Sequence, residues 1–86
     1  MTMVDLREAV LRRLRMERPS KSDAGVMEVV QLAHQLGVSS KLVAVACSDL
    51  ARVGKVDGDG NMMGFVRISD AGIDYVDAVE EMEHAP

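Results

Sequence analysis

The sequence predicts a mostly helical α+β domain, in which a three-helix core is followed by a two-stranded β-hairpin and a C-terminal helix. Three observations carry that prediction. Apolar residues recur every three to four positions in four separate stretches. Gly37 and Gly54 bracket the third stretch, and helices commonly end on such a left-handed residue. Between the third and fourth stretches, two extended runs flank a segment rich in Gly, Asp and Asn. A chain of 86 residues supports a single small domain, expected over 1–80, with a disordered tail at 81–86.

The first helix opens at Thr2-Met3-Val4-Asp5, which has the form of a capping box, and Met3, Leu6, Val10 and Leu14 keep helical spacing to about Met16. Its polar face carries Arg7, Arg12, Arg13, Arg15 and Arg18 interleaved with Glu8 and Glu17, expected to be a solvated face. Pro19 and the serines after it break the helix. A second helix is expected from Asp23, with Val26, Val29, Val30, Ala33 and Leu36 on its apolar face and Gly37 ending it. The turn Leu36-Gly37-Val38 leads to Ser39 or Ser40 as the cap of a third helix over 40–53. There Val43, Ala46, Leu50 and Val53 should face the core. Two helices joined by so short a turn form a helix-turn-helix. The outer face of the third helix holds Ala44, Val45 and Ser48, with Lys41 and Arg52 its only cations.

Lys55 to Ile68 reads as the β-hairpin. Asp57, Asp59 and Asn61 imitate the first ligands of a calcium loop, but Met62 stands where the loop needs glycine and Ile68 where it needs glutamate. Ser69 or Asp70 then caps the last helix, with Ile73, Val76 and Val79 inward and acids outward. Neither His34 nor His84 has a second ligand at metal spacing, so no metal and no cofactor are expected.

Aromatics are only 2% of the chain, Phe65 and Tyr75, which leaves no platform for stacking single-stranded bases. The one cysteine, Cys47, reads as a buried hydrophobe and forms no internal disulfide. A cytoplasmic location is expected, with no apolar run long enough to span a membrane. Charge divides the chain: residues 1–55 hold nine Lys/Arg against six Asp/Glu, whereas 56–86 hold Arg67 against eight acids.

Two segments resemble the winged helix-turn-helix domains of bacterial regulators, and the likeness covers 23–77. Gly37-Val38-Ser39 through Leu50 and Gly54-Lys55-Val56 is similar to the pattern around recognition helices in that superfamily. Val66-Arg67-Ile68-Ser69-Asp70-Ala71-Gly72 is similar to the segment by which such domains leave the wing. The resemblance implies a DNA-binding transcriptional regulator or repressor with the helix 40–53 in the major groove, better able to bind as a homodimer. Ser39, Ser40, Lys41, Val45, Ser48 and Arg52 would face that groove, the turn from Asp59 to Met63 would lie near the backbone, and Lys55 and Arg67 would meet phosphate. Lys21, Lys41, Arg52, Lys55 and Arg67 together would give a logarithmic salt slope of about −4.5. The chain departs from the family at the wing, where Asp57 and Asp59 would repel phosphate.

An alternative expectation is a protein-interaction domain that binds a partner through Leu42, Ala44 and Val45, with Asp74, Asp77, Glu80 and Glu81 docking on a basic surface. An enzyme is not expected: no nucleophile stands beside a base in the sequence, and Gly58, Gly60 and Gly64 lack the Lys-Ser/Thr of a phosphate loop.

Overall fold

In the computed structural model, which describes residues 1–58 and 64–84, the elements run α1 (Met3–Glu17), β1 (Met27–Glu28), α2 (Val29–Leu36), α3 (Ser40–Arg52), β2 (Val56–Asp57), β3 (Phe65–Ile68) and α4 (Asp70–Glu83). The strands form one antiparallel sheet in the order β1-β3-β2. The fold is thus a mostly helical α+β domain with four helices and three strands. Its Cα radius of gyration, 12.1 Å, matches the roughly 12 Å expected of one compact body of this length.

Each helix starts and stops for local reasons. Thr2 Oγ1 accepts the Asp5 N–H while Asp5 accepts the Thr2 N–H, so the capping box of α1 is closed. Ser39 caps α3 by accepting the Leu42 N–H at 3.2 Å, and Ser69 caps α4 by accepting the Gly72 N–H at 3.0 Å. Two helices end alike. Gly37 has φ +70° after α2, with Val38 N–H to Ala33 O and Gly37 N–H to His34 O. Gly54 has φ +77° after α3, with Lys55 N–H to Leu50 O and Gly54 N–H to Ala51 O. Both are Schellman closures, which only a residue tolerant of positive φ forms without strain.

Leu6, Val10, Leu11 and Leu14 of α1 pack on Val29, Leu32 and Ala33 of α2 and on Val43, Ala46, Cys47 and Leu50 of α3. Ladder pairs Met27↔Val66 and Val56↔Ile68 turn inward and close the core from the sheet side. By the two-residue alternation of strands, Glu28, Phe65, Arg67 and Asp57 face outward. Ile73 and Val76 are the buried apolar residues of α4.

Several expectations are corrected. The second helix begins at Val29, not Asp23, and 27–28 instead add a third strand to the expected two-stranded hairpin. Asp23 is spent on a turn, accepting the Ser20 N–H through its carboxylate. Gly25, at φ +61°, lies against the Arg18 side chain, where helix could not continue. Val29 N–H then donates to Gly64 O at 3.1 Å, tying the start of α2 to the lead-in of β3. Val26 and Val30 are exposed rather than inward, and Val53 lies past the end of α3 with 65% of its surface exposed. Glu81, Met82 and Glu83 continue α4 rather than fray, while 85–86 lie outside the described residues. The turn expected over 59–63, including the calcium-like Asp59 and Asn61, also falls outside them.

The largest departure is Arg18. Expected on a solvated face, it is 3% exposed. Pro19 holds it out of helical geometry, at φ −122° and ψ 78°. Its guanidinium donates to Asp23 O (2.9 Å), Ile68 O (2.8 Å) and Lys21 O (2.8 Å), and pairs with Asp70 at 3.0 Å. One side chain thereby joins the α1–β1 loop, the end of β3 and the start of α4.

Candidate nucleic-acid interface

Lys41, Val45, Ser48 and Arg52 are spaced four, three and four residues apart on α3, so they fall within about 60° of one another around the helix. The buried residues Val43, Ala46, Cys47 and Leu50 occupy the opposite side, leaving Lys41, Val45 and Arg52 exposed and Ser48 half-buried. Val45 is 46% exposed and the Arg52 side chain 74%. Ser39 and Ser40 stand exposed at the head of the helix. The Ser39 hydroxyl accepts the Leu42 N–H and its carbonyl the Val43 N–H, so among the described residues the Ser40 and Lys41 N–H groups open outward from the positive end of the helix dipole. An anion meeting α3 end-on would find two donors and the Lys41 ammonium together.

Six of the expected DNA contacts therefore share one surface: Ser39, Ser40, Lys41, Val45, Ser48 and Arg52. Arg52 is partly neutralised by Asp49, at 3.1 Å, and Asp49 also pairs with Arg7 of α1 at 3.3 Å. Lys41 makes no ion pair among the described residues. The remaining cations lie off the stripe and have partners of their own. Lys55 lies 3.6 Å over the Tyr75 ring, a cation–π contact. Tyr75 O–H donates to Glu8, which holds the phenol above its ordinary range; burial adds to the rise. Arg67 pairs with Asp57 across the sheet at 3.3 Å, and Lys21 pairs with Asp74 at 2.9 Å.

Lys21 belongs to a larger arrangement that joins the two charge halves of the chain. Arg12 pairs with Glu83 (2.5 Å) and Glu80 (3.9 Å), and Arg15 holds Asp77 through two nitrogens (2.9 and 3.3 Å). Adding Arg18–Asp70 and Lys21–Asp74, these contacts run the length of α4 against α1 and the loop that follows it. The side-chain hydrogen bonds to Glu83, Asp77 and Asp74 raise the pKa of Arg12, Arg15 and Lys21 respectively. This arrangement corrects two expectations. The arginine face of α1 is not simply solvated, and Asp74, Asp77 and Glu80, expected to dock on a basic partner, face cations of their own chain.

The expected apolar patch is also divided. Leu42 and Ala44 lie about 200° apart around α3; Ala44 is half-buried against the core, while Leu42 is 47% exposed. Leu42 instead helps line a groove of about 220 Å³ with Met1, Thr2, Met3, Leu6 and Val38. A second shallow groove of about 240 Å³ crosses the outer sheet face between Val26, Phe65, Arg67 and Asp57. Neither groove, nor the Arg18 fork, could be foreseen from spacing. Cys47 is buried in the core, and burial pushes its thiol up to about 11. His34 is exposed, and among the described residues no three His, Cys, Asp or Glu are grouped to hold a metal ion. Nor is any single helix among them long and apolar enough to cross a membrane.

No protein-family model, curated protein or solved structure matches the chain.

Proposed function

We propose that the protein is a winged helix-turn-helix DNA-binding regulator that lays α3 in the major groove of duplex DNA. One observation carries the reading: α3 follows α2 after three residues at an angle of 112° and turns the stripe Lys41-Val45-Ser48-Arg52 outward, with Ser48 half-buried. That angle lies in the 90–120° range of helix-turn-helix pairs. The β2–β3 hairpin after α3 and β1 ahead of α2 support the same architecture. On this reading Val45 and Ser48 face base edges, and Ser39, Ser40, Lys41 and Arg52 meet phosphate.

The charges on this face set the strength. Lys41, Arg52 and Lys55 lie on or just after α3, so about three phosphates are neutralised per copy and the logarithmic salt slope is about −2.7. Affinity for a labelled random duplex, measured by fluorescence anisotropy, then falls about 40-fold between 50 and 200 mM salt. A homodimer on two half-sites doubles the slope. Lys41→Ala/Arg52→Ala abolishes the binding; if that variant binds as the parent does, α3 is not the reading helix.

A specific observation favours a second reading, a protein-interaction domain. The groove beside Leu42, continued by exposed Val45 one turn further along α3, offers an apolar seat for a partner's side chains. Under that reading Val45→Arg places an unpaired charge in the interface and removes partner binding, whereas on DNA it adds a phosphate contact and strengthens binding.

A further inference from the structure

The pairs between α1 and α4 divide α4 into two unequal halves. Its first half is anchored: Gly72, Ile73 and Val76 are buried, Ser69 caps the helix, and the buried Arg18 holds Asp70. From Asp77 to Glu83 no residue is fully buried. Arg15–Asp77, Arg12–Glu80 and Arg12–Glu83 span this second half, and each has a substantially exposed partner. Exposed ion pairs are weak and screened by salt. What they cover is an arginine face, and what covers it is a row of carboxylates at one-turn spacing, an internal stand-in for a phosphate backbone.

We infer that the second half of α4, Asp77 to Glu83, is an autoinhibitory strap that keeps Arg12 and Arg15 of α1 from duplex DNA and releases them when its paired carboxylates, Asp77, Glu80 and Glu83, are displaced or neutralised. A polyanion competes for the same guanidinium groups, which bind phosphate and carboxylate with the same fork. Freed, the two guanidinium groups add two phosphate contacts to the chain's total. The strap thus deepens the DNA-binding reading, on which the wild-type slope rests.

The experiment compares two variants of equal net charge on the full chain. Asp77→Asn/Glu83→Gln loosens the strap; Glu28→Gln/Glu81→Gln removes two carboxylates that make no ion pair among the described residues. With the random duplex, the strap variant should steepen the slope from about −2.7 to about −4.5, at about −0.9 per added contact. The control variant should keep the wild-type slope. Equal slopes in both variants overturn the strap, because the gain then follows net charge alone, and no binding by the strap variant at 50 mM salt overturns it too. Binding by the strap variant alone, unaffected by Lys41→Ala/Arg52→Ala, supports the strap and refutes α3 as the reading helix. Hydrogen exchange gives a readout without DNA: amides of 77–83 should lose protection with rising salt before those of 72–76. Equal protection of both halves at every salt concentration overturns the proposal.

Discussion

Replacing Arg18 by methionine tests the least expected part of the fold. Methionine retains the aliphatic packing of the stem and deletes the fork. Four acceptors lose their donor, but unequally. Only the Arg18–Ile68 carbonyl bond is fully buried; the bonds to Asp23 and Lys21 are partly buried, and Asp70 is 65% exposed and can turn to water. An orphaned buried carbonyl costs about 1–3 kcal/mol, and the lost charge-assisted bonds at the boundary add about 1–2 more, partly offset by no longer burying a guanidinium. The net loss is about 3 kcal/mol. A domain of this size has a total stability of roughly 4–13 kcal/mol, so the change is large. At about 4–8 °C per kcal/mol, the midpoint of thermal unfolding followed by circular dichroism drops about 15 °C. Arg18→Lys, a point donor that cannot reach three carbonyls at once, recovers less than half of the loss. Asp70→Asn costs under about 1 kcal/mol, because the exposed carboxylate is the minor partner. A methionine variant within about 1 kcal/mol of the parent, or an Asp70→Asn variant as unstable as Arg18→Met, would refute the reasoning.

Gly72→Ala reverses the usual sign of a helix substitution. Alanine is favoured over glycine by about 1 kcal/mol inside a helix. Here a Cβ would press into the Lys55 carbonyl oxygen and lie 2.6 Å from Ile68 Cγ1, so urea denaturation should show a loss of at least about 2 kcal/mol. Cys47 gives a pH prediction. Its thiol titrates at about 11 in the folded chain against 9.0 ordinarily, so stability is fully present below pH 9 and falls toward pH 11, by about 2–3 kcal/mol at most. Lys21 and Tyr75, both raised, act in the same direction. The alkaline slope should be shallower in Cys47→Ala, and an unchanged slope would assign it elsewhere. Iodoacetamide should alkylate the thiol at pH 8 no faster than the chain opens, whereas labelling at the rate of a free thiol would contradict its burial.

Legibility followed the range of the interactions involved. The cap at Thr2 and the stops at Gly37 and Gly54 are decided within six residues and are visible in the sequence, which narrows the other two caps to Ser39 or Ser40 and to Ser69 or Asp70. The core stripes of α1 and α3 are legible for the same reason, down to Leu14 and Leu50. A two-residue strand has no period, so β1 could not be told from a first helical turn when Val26, Val29 and Val30 happened to keep helical spacing. The outer stripe of α3 was legible because it complements a stripe of buried residues. The fate of the charges was not. Arg12 and Glu83 are 71 positions apart, and only the antiparallel packing of the first helix on the last makes them neighbours. Arg18 was hidden by its type, since a lone arginine ahead of a proline reads as surface until the carbonyls that surround it are known.

The central strand has a mechanical consequence. β3 is bonded on one side to β1, which runs directly into α2, and on the other to β2, which leaves α3 two residues after its glycine stop. Ser69, just past the end of β3, donates its N–H to Lys55 O and its hydroxyl to Gly54 O, two of the three residues between α3 and β2. The two helices are thus legs of a triangle, the turn at Gly37 its apex and β3 the crossbar. A triangle with a fixed base does not hinge at its apex. Substituting Gly37, where a Cβ meets nothing within 4 Å, strains the joint without resetting the angle at which α3 is presented. Thinning the crossbar at Val66 or Ile68, more than ten residues from α3, lets that angle drift.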